Sequence, residues 1–218
     1  WALAQMLNLR IREEKVRVSV VRKTLPTLKA TAMRDFFQVM RQLGWYLGEC
    51  DNRSDLTYRR WGSEVEFFGL DDPFKVRSRR RNVLWMNEAN EFSLEDWRQL
   101  SLRTSGQIYL DYNPSHQYHW LYDEVLVRKD CELIVSSYRD NPFLEAEIVR
   151  EIESYQDKDQ NYWRIYGLGE RGISQITVYT HWEFCDALPE GEVRYGLDFG
   201  YNHQTALVRI VVRDDRVF

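Results

Sequence analysis

VLWMNEANEFS, residues 83–93, is the stretch from which the rest of this chain is read. Val83 to Met86 are apolar without alternation, as expected of a short strand covered on both faces. Asn87 and Glu88 form a polar pair at its carboxyl end, and a helix begins a few residues later. In open α/β sheets, ligands bind just beyond the carboxyl ends of the strands. A carboxylate there is placed to activate a water against a nucleotide phosphate. The plainer alternative is a buried strand ending in polar residues, with Glu88 a helix-initiating acid or a surface ion-pair partner.

Working outward, strands and helices alternate. Residues 1–14 read as a helix, and Lys15 to Arg22 alternates as a strand. Thr24 to Leu43 reads as a helix with Pro26 in its first turn. Leu56 to Trp61 and Glu64 to Gly69 are strands about a Gly62-Ser63 hairpin turn. Ser93 to Arg103 is a helix, with Ser93 and Asp96 spaced as a capping box. Gln107 to Tyr112 is a strand closed by Asn113-Pro114. His119 to Val127 reads as helix, Cys131 to Ser137 as strand, and Leu144 to Tyr166 as one long charged helix. Such alternation predicts an α/β domain with a mainly parallel sheet. The run Gly167 to Gly172, GLGERG, marks a boundary, giving domains 1–169 and 170–218. Beyond it, Arg194 to Asp198 and Thr205 to Val212 begin a second sheet.

Composition narrows the classes. Hydrophobic residues at 44% and aromatics at 14% argue for a folded globular chain. With 34 acids against 30 bases, the chain is no simple basic nucleic-acid binder, so any DNA contact falls to local patches. Lys75 to Arg81, KVRSRRR, is the densest of these; it reads as a phosphate-contacting run or as a solvated loop. Cys50, Cys131 and Cys185 are widely spaced and odd in number. They suggest neither a disulfide framework nor a metal spacing and suit a reduced intracellular compartment. No apolar run approaches a membrane span, so no membrane partner is expected.

Several stretches in fixed order resemble the large terminase subunit of tailed bacteriophages. They are VVRKTLPTLKATAMRDFF (20–37), FFGLDDPFKVRS (67–78), VLWMNEANEFSLEDWRQLSLRT (83–104), IYLDYNPS (108–115), YRDNPFL (138–144), YGLGERG (166–172) and YGLDFGYNHQTALV (195–208). The resemblance implies a P-loop ATPase domain followed by the start of an RNase H-like nuclease domain. It implies ATP and Mg²⁺ as cofactors, with Mg²⁺ or Mn²⁺ at the nuclease site. It implies double-stranded viral DNA, a small terminase subunit, a portal protein and a homo-oligomeric ring as partners. The location implied is host cytoplasm, transiently at the procapsid portal. That family's GxxxxGK[ST] phosphate loop lies directly before a helix like Trp1 to Arg12. The chain opens in mid-pattern at Trp1 and is expected to be a piece of a longer protein, inactive on its own.

The resemblance assigns roles. Val83 to Glu88 resembles the second nucleotide-binding motif (Walker B), with Glu88 as catalytic carboxylate and Asn87 where a metal-holding Asp is usual. An amide oxygen is a weaker Mg²⁺ ligand than a carboxylate. Glu91 is the reserve acid, read as solvated. Asp111-Tyr112-Asn113-Pro114 resembles the coupling motif, with Asn113 positioned to bond a phosphate or the attacking water. Arg22, at a strand end, is a candidate to approach the nucleotide. Asp198 matches the first metal-binding acid of the nuclease, although Asn202-His203-Gln204 departs from the family's usual continuation. His116 and His119 read as structural, and Trp120 and Trp163 as packing residues.

Two other readings stand beside this one. Another P-loop DNA motor, such as a helicase, explains Val83 to Glu88 but not Asp198. A non-catalytic DNA-binding or portal-docking assembly protein draws support from Asn87 in place of Asp.

Overall fold

The computed structural model describes residues 1–70, 80–173, 185–199, 205–213 and 216–217. They divide into two units, Trp1–Gln175 and Ile176–Phe218. In the first, α1 (Ala2–Glu13) leads into β1 (Arg17–Arg22), then α2 (Leu25–Ala30) and α3 (Ala32–Gln42). Next come β2 (Asp51–Asn52), β3 (Thr57–Arg60), β4 (Ser63–Gly69) and β5 (Val83–Met86). Helix α4 (Leu94–Ser101), β6 (Ile108–Leu110) and α5 (Ala146–Lys158) follow. The sheet order is β2-β3-β4-β1-β5-β6. Strands β4, β1, β5 and β6 are mutually parallel, and β2 and β3 add an antiparallel edge. The expected mixed α/β fold with a mainly parallel sheet is therefore present.

Strand periodicity divides the core in two. Val18, Val20, Val65, Phe67, Val83 and Trp85 face α1 and α3, against Leu7, Ile11, Phe36 and Met40. Val21, Phe68, Leu84 and Met86 face the other way, against Phe92, Trp97, Leu100, Leu121 and Val125. All four residues of β5 are buried, which explains why its sequence does not alternate. Trp120 stacks on Trp97 at 5.6 Å, and its indole donates to the Phe92 carbonyl at 2.7 Å. Buried Trp163 is likewise a packing residue.

Local departures have local causes. The Thr24–Leu43 helix is two helices, broken at Thr31 (φ −123°, ψ −102°). The hairpin turn is Trp61-Gly62, not Gly62-Ser63: both have positive φ (56° and 81°), and Arg60 pairs with Ser63. This is the backbone pattern that suits a tight two-residue hairpin. His119–Val127 winds only into one wide turn, Leu121–Val125, whose two ends are buried. Cys131–Ser137 forms no strand; Leu133, Ile134 and Val135 are exposed and lie in neither sheet. The long helix stops at Lys158, because Asp159 turns extended and caps the next turn through the Asn161 and Tyr162 N–H groups.

The expected capping box is formed: Ser93 Oγ accepts from the Asp96 N–H, and Asp96 accepts from the Ser93 N–H. Asp96 also pairs with Lys23 at 2.8 Å, tying α4 to the end of β1. Ser93→Ala is expected to cost about 1 kcal/mol, read as a melting point lower by roughly 2–4 °C.

The second unit holds β7 (Glu192–Asp198), β8 (Ala206–Arg213) and β9 (Arg216–Val217) in an antiparallel sheet of order β7-β8-β9.

Candidate functional site

Parallel register builds the site. Val21 pairs with Met86 and Met86 with Leu110, so the next residues, Arg22, Asn87 and Asp111, meet at one sheet edge. Backbone bonds extend the ladder there: Asn87 N–H to Val21 O at 2.9 Å and Asp111 N–H to Met86 O at 3.3 Å. This is the carboxyl edge where ligands of open α/β sheets bind.

The Asp111 carboxylate gathers three donors. It accepts from Asn87 Nδ2 at 2.9 Å, from the Glu88 backbone N–H at 3.1 Å, and from the indole N–H of Trp85. Its carbonyl accepts from the Ala89 N–H at 2.7 Å. Between these bonds Glu88 sits in the left-handed region, φ 55° and ψ 61°. That conformation costs a non-glycine residue about 1–2 kcal/mol, and such strain is found disproportionately at functional sites.

Asn87 is 9% exposed, and its amide orientation is determined by its neighbours. A carboxylate only accepts and a guanidinium only donates. Nδ2 therefore faces Asp111, and Oδ1 faces Arg22 Nη1 at 3.4 Å and Thr31 Oγ1 at 3.2 Å. Arg22 Nη1 also donates to Thr31 Oγ1 at 2.9 Å, while its Nε and Nη2 grip Glu91 at 3.3 and 3.0 Å. Glu91 is thus not simply a solvated acid but the ion-pair partner of Arg22. The Glu91 hydrogen bond and charge, aided by Glu88 and Asp111, hold the Arg22 guanidinium pKa above its ordinary value despite partial burial. Burial, with repulsion from Asp111 and Glu91, pushes the Glu88 carboxyl pKa up against the opposing pull of Arg22.

The other expected residues lie apart from this cluster or at its margin. Asn113 is exposed two residues beyond Asp111, and its side chain bonds none of the described residues; its carbonyl accepts from the Ser115 N–H at 2.8 Å. The neighbouring Pro114 carbonyl accepts from the Gly172 N–H at 2.8 Å, and Arg171 lies over the Tyr122 ring at 3.9 Å. The rings of His116 and His119 are 5.3 Å apart, and His119 Nδ1 accepts from the Leu121 N–H at 3.3 Å, a structural arrangement. Of the basic run, residues 75–79 lie outside the described residues. Arg81 is only 2% exposed and lies over the Phe68 ring, so it does not face a DNA backbone. In the second unit, exposed Asp198 ends β7 opposite Ala206. Asn202, His203 and Gln204 lie outside the described residues.

Two residues escaped the sequence reading: Thr31, hidden in an apparently continuous helix, and Asp111, passed over in favour of Asn113. Asp111 carries the same signal as Asn87, a polar residue directly after a parallel strand.

No group of three or more His, Cys, Asp or Glu side chains among the described residues could hold a metal. Mg²⁺ tolerates this, since it keeps several waters and relies on one or two carboxylates plus substrate phosphates. Asp111 is taken up by N–H donors, and Asn87 Oδ1 and Thr31 Oγ1 by the Arg22 guanidinium, which leaves the Glu88 carboxylate as the group that would meet such a phosphate-borne ion. Around Asp198 the described residues do not fit a two-metal centre.

A sequence profile of the phage terminase large subunit matches residues 2–170. The PBSX phage terminase large subunit of Bacillus subtilis (strain 168) is 24% identical over 256 aligned residues, covering 99% of this chain and 58% of that protein. The solved large terminase of a thermophilic bacteriophage has a TM-score of 0.69 at 16% identity, over 99% of this chain and 57% of that one. Its complex with ADP, with the same coverage, gives 0.63 at 17% identity. Its complex with ATP-gamma-S gives 0.59 at 16%, over 99% of this chain and 58% of that one. The chain thus spans under three-fifths of the length of these relatives.

Proposed function

The chain belongs to the phage terminase large subunit family, and from that premise we propose that it is the hydrolytic part of an ATP-driven motor that moves viral DNA into a procapsid. The observation carrying this reading is the meeting of Arg22, Asn87, Glu88 and Asp111 at the carboxyl edge of a parallel sheet. The large terminase of the thermophilic phage binds ADP and ATP-gamma-S, which supports nucleotide as the ligand.

Glu88 orients a water in line with the γ-phosphate, and its raised pKa suits a proton acceptor. Arg22 stabilises charge on the transferring phosphoryl group. Asn113, exposed beyond β6, contacts the γ-phosphate or the water. Mg²⁺ would neutralise the phosphate oxygens. Among the described residues β6 pairs only with β5. An open groove of about 520 Å³ lies between α1 and Gln107, lined by Ala2, Met6, Leu9 and Arg10 among others.

The second unit we assign to an RNase H-like nuclease that cuts concatemeric DNA with Mg²⁺ or Mn²⁺. Asp198 supplies one acid, and the other acids come from outside the described residues. The partners of the whole protein are double-stranded viral DNA, a small terminase subunit, a portal protein and copies of itself in a ring. It works in the host cytoplasm and transiently at the portal vertex. Asp198→Ala in the full-length protein, as its gene encodes it, is expected to abolish cleavage of plasmid DNA while ATP hydrolysis persists. Cleavage that survives the substitution removes Asp198 from the nuclease site.

A further inference from the structure

We propose that Asp111 is a positioning residue of the hydrolytic site, and that the Asn87–Asp111 pair does jointly what a lone aspartate after β5 would otherwise do. The inference rests on the hydrolase reading for its role, but the pairing itself rests on geometry alone. Of the two facing side chains, Asn87 after β5 is neutral and Asp111 after β6 is charged. From there Asp111 fixes three things at once. It takes Asn87 Nδ2 at 2.9 Å, which turns Asn87 Oδ1 toward Arg22 and Thr31. It takes the Glu88 N–H at 3.1 Å, and its backbone carbonyl takes the Ala89 N–H at 2.7 Å, which together clamp the left-handed Glu88 peptide. It also takes the Trp85 indole N–H, anchoring itself to the core. The aim of the Glu88 side chain follows from that backbone, so Asp111 acts on the reaction through Glu88 and touches no substrate.

On this account Asn87 is not a weakened aspartate. An aspartate at 87 would place a carboxylate against the Asp111 carboxylate, with no proton between them. Both would repel, and the Glu88 peptide would lose its clamp. Exchanging the two residues restores one amide facing one carboxylate.

The test is a cycle of N87D, D111N and N87D/D111N in the full-length protein, read two ways. The melting point is measured without nucleotide or metal, and kcat and KM are measured for ATP hydrolysis. N87D is expected to lower the melting point by about 5 °C or more. It should also lower kcat by about 10²-fold, with KM for ATP within about threefold. D111N lowers both in the same sense, because an amide cannot accept from all three donors. The exchanged double variant regains at least half of the N87D loss in melting point, because one amide again faces one carboxylate, but not the loss in kcat, because the amide at 111 turns its Nδ2 to position 87 and no longer accepts the Glu88 N–H. Melting-point losses that add in the double variant overturn the proposal, as does an N87D protein with unchanged melting point and kcat. Recovery of kcat together with the melting point would show that turnover does not need the Glu88 clamp, which reduces Asp111 to a structural role and overturns the positioning claim. If N87D does not fold, a folded double variant supports the pairing and an unfolded one defeats it. Absence of ATP turnover in the unaltered protein would instead defeat the hydrolase reading, while the melting-point cycle still decides the pairing.

Discussion

Glu88→Gln is expected to lower kcat for ATP hydrolysis by about 10²–10⁴-fold and, at neutral pH, to raise the melting point. Glutamine keeps the shape and the left-handed backbone but neither takes a proton nor draws one from water. The stability gain follows from burial and from repulsion by Asp111 and Glu91, which raise the Glu88 pKa in the folded state. A carboxylate whose folded pKa is raised burdens the folded state wherever both states are ionised, that is, above the folded pKa. Below the ordinary glutamate value of about 4.3 both states are protonated and the burden is gone. The advantage of glutamine is therefore fullest at neutral pH and fades as pH falls through the folded value toward the unfolded one. Thermal melts of both proteins between pH 4 and 8, with initial-rate ATP hydrolysis at pH 7.5, check both halves. Unchanged turnover would remove Glu88 from the chemistry. Lost turnover without a gain in stability would leave Glu88 catalytic but more hydrated than its surroundings indicate.

Much of this scaffold was legible in the sequence because it rests on local pattern. Val83 to Met86 reads as buried because apolar residues fall on both faces, and β1 divides its valines between two cores just as its alternation suggests. The capping box at Ser93 needs only a three-residue spacing. What failed is what depends on partners distant in sequence. Cys131 to Ser137 has strand-like composition, but a strand exists only when another pairs with it, and here its apolar residues stay in solvent. Asp159 looks like any acid on a charged helix until its carboxylate accepts the next turn's N–H groups. The site behaves likewise. Glu88 and Arg22 are visible as polar residues at strand ends. That Asn87 meets Asp111, 24 positions away, follows from the register of β5 and β6, which no local pattern encodes. Thr31 is visible only once the helix is seen to break and aim its hydroxyl at Arg22.

Arg22→Ala is expected to reduce kcat by about 10³-fold, the lower end of what an arginine at a transferring phosphoryl group contributes. Its side chain is 13% exposed and held by Glu91, Thr31 and Asn87, so it reaches the site edge already ordered. The ion pair with Glu91 is the obstacle to this role, because a guanidinium gripped by a carboxylate has to release it or share it with a phosphate. Glu91 is 36% exposed, so its carboxylate is solvated when released and the exchange is inexpensive. Glu91→Gln therefore separates two accounts. If Arg22 acts on the nucleotide, loss of the Glu91 charge leaves kcat within about threefold, whereas Arg22→Ala removes most of it. If Arg22 serves only to pin the β1 end to the loop after Glu88, both substitutions break the same pair and lower kcat alike. Melting points of the two variants complete the comparison. Arg22→Ala also removes Nη1 from Thr31 and Asn87 Oδ1, a partly buried loss of about 1–3 kcal/mol, and so should melt below Glu91→Gln. Equal melting points with unequal kcat would place the whole difference in the chemistry.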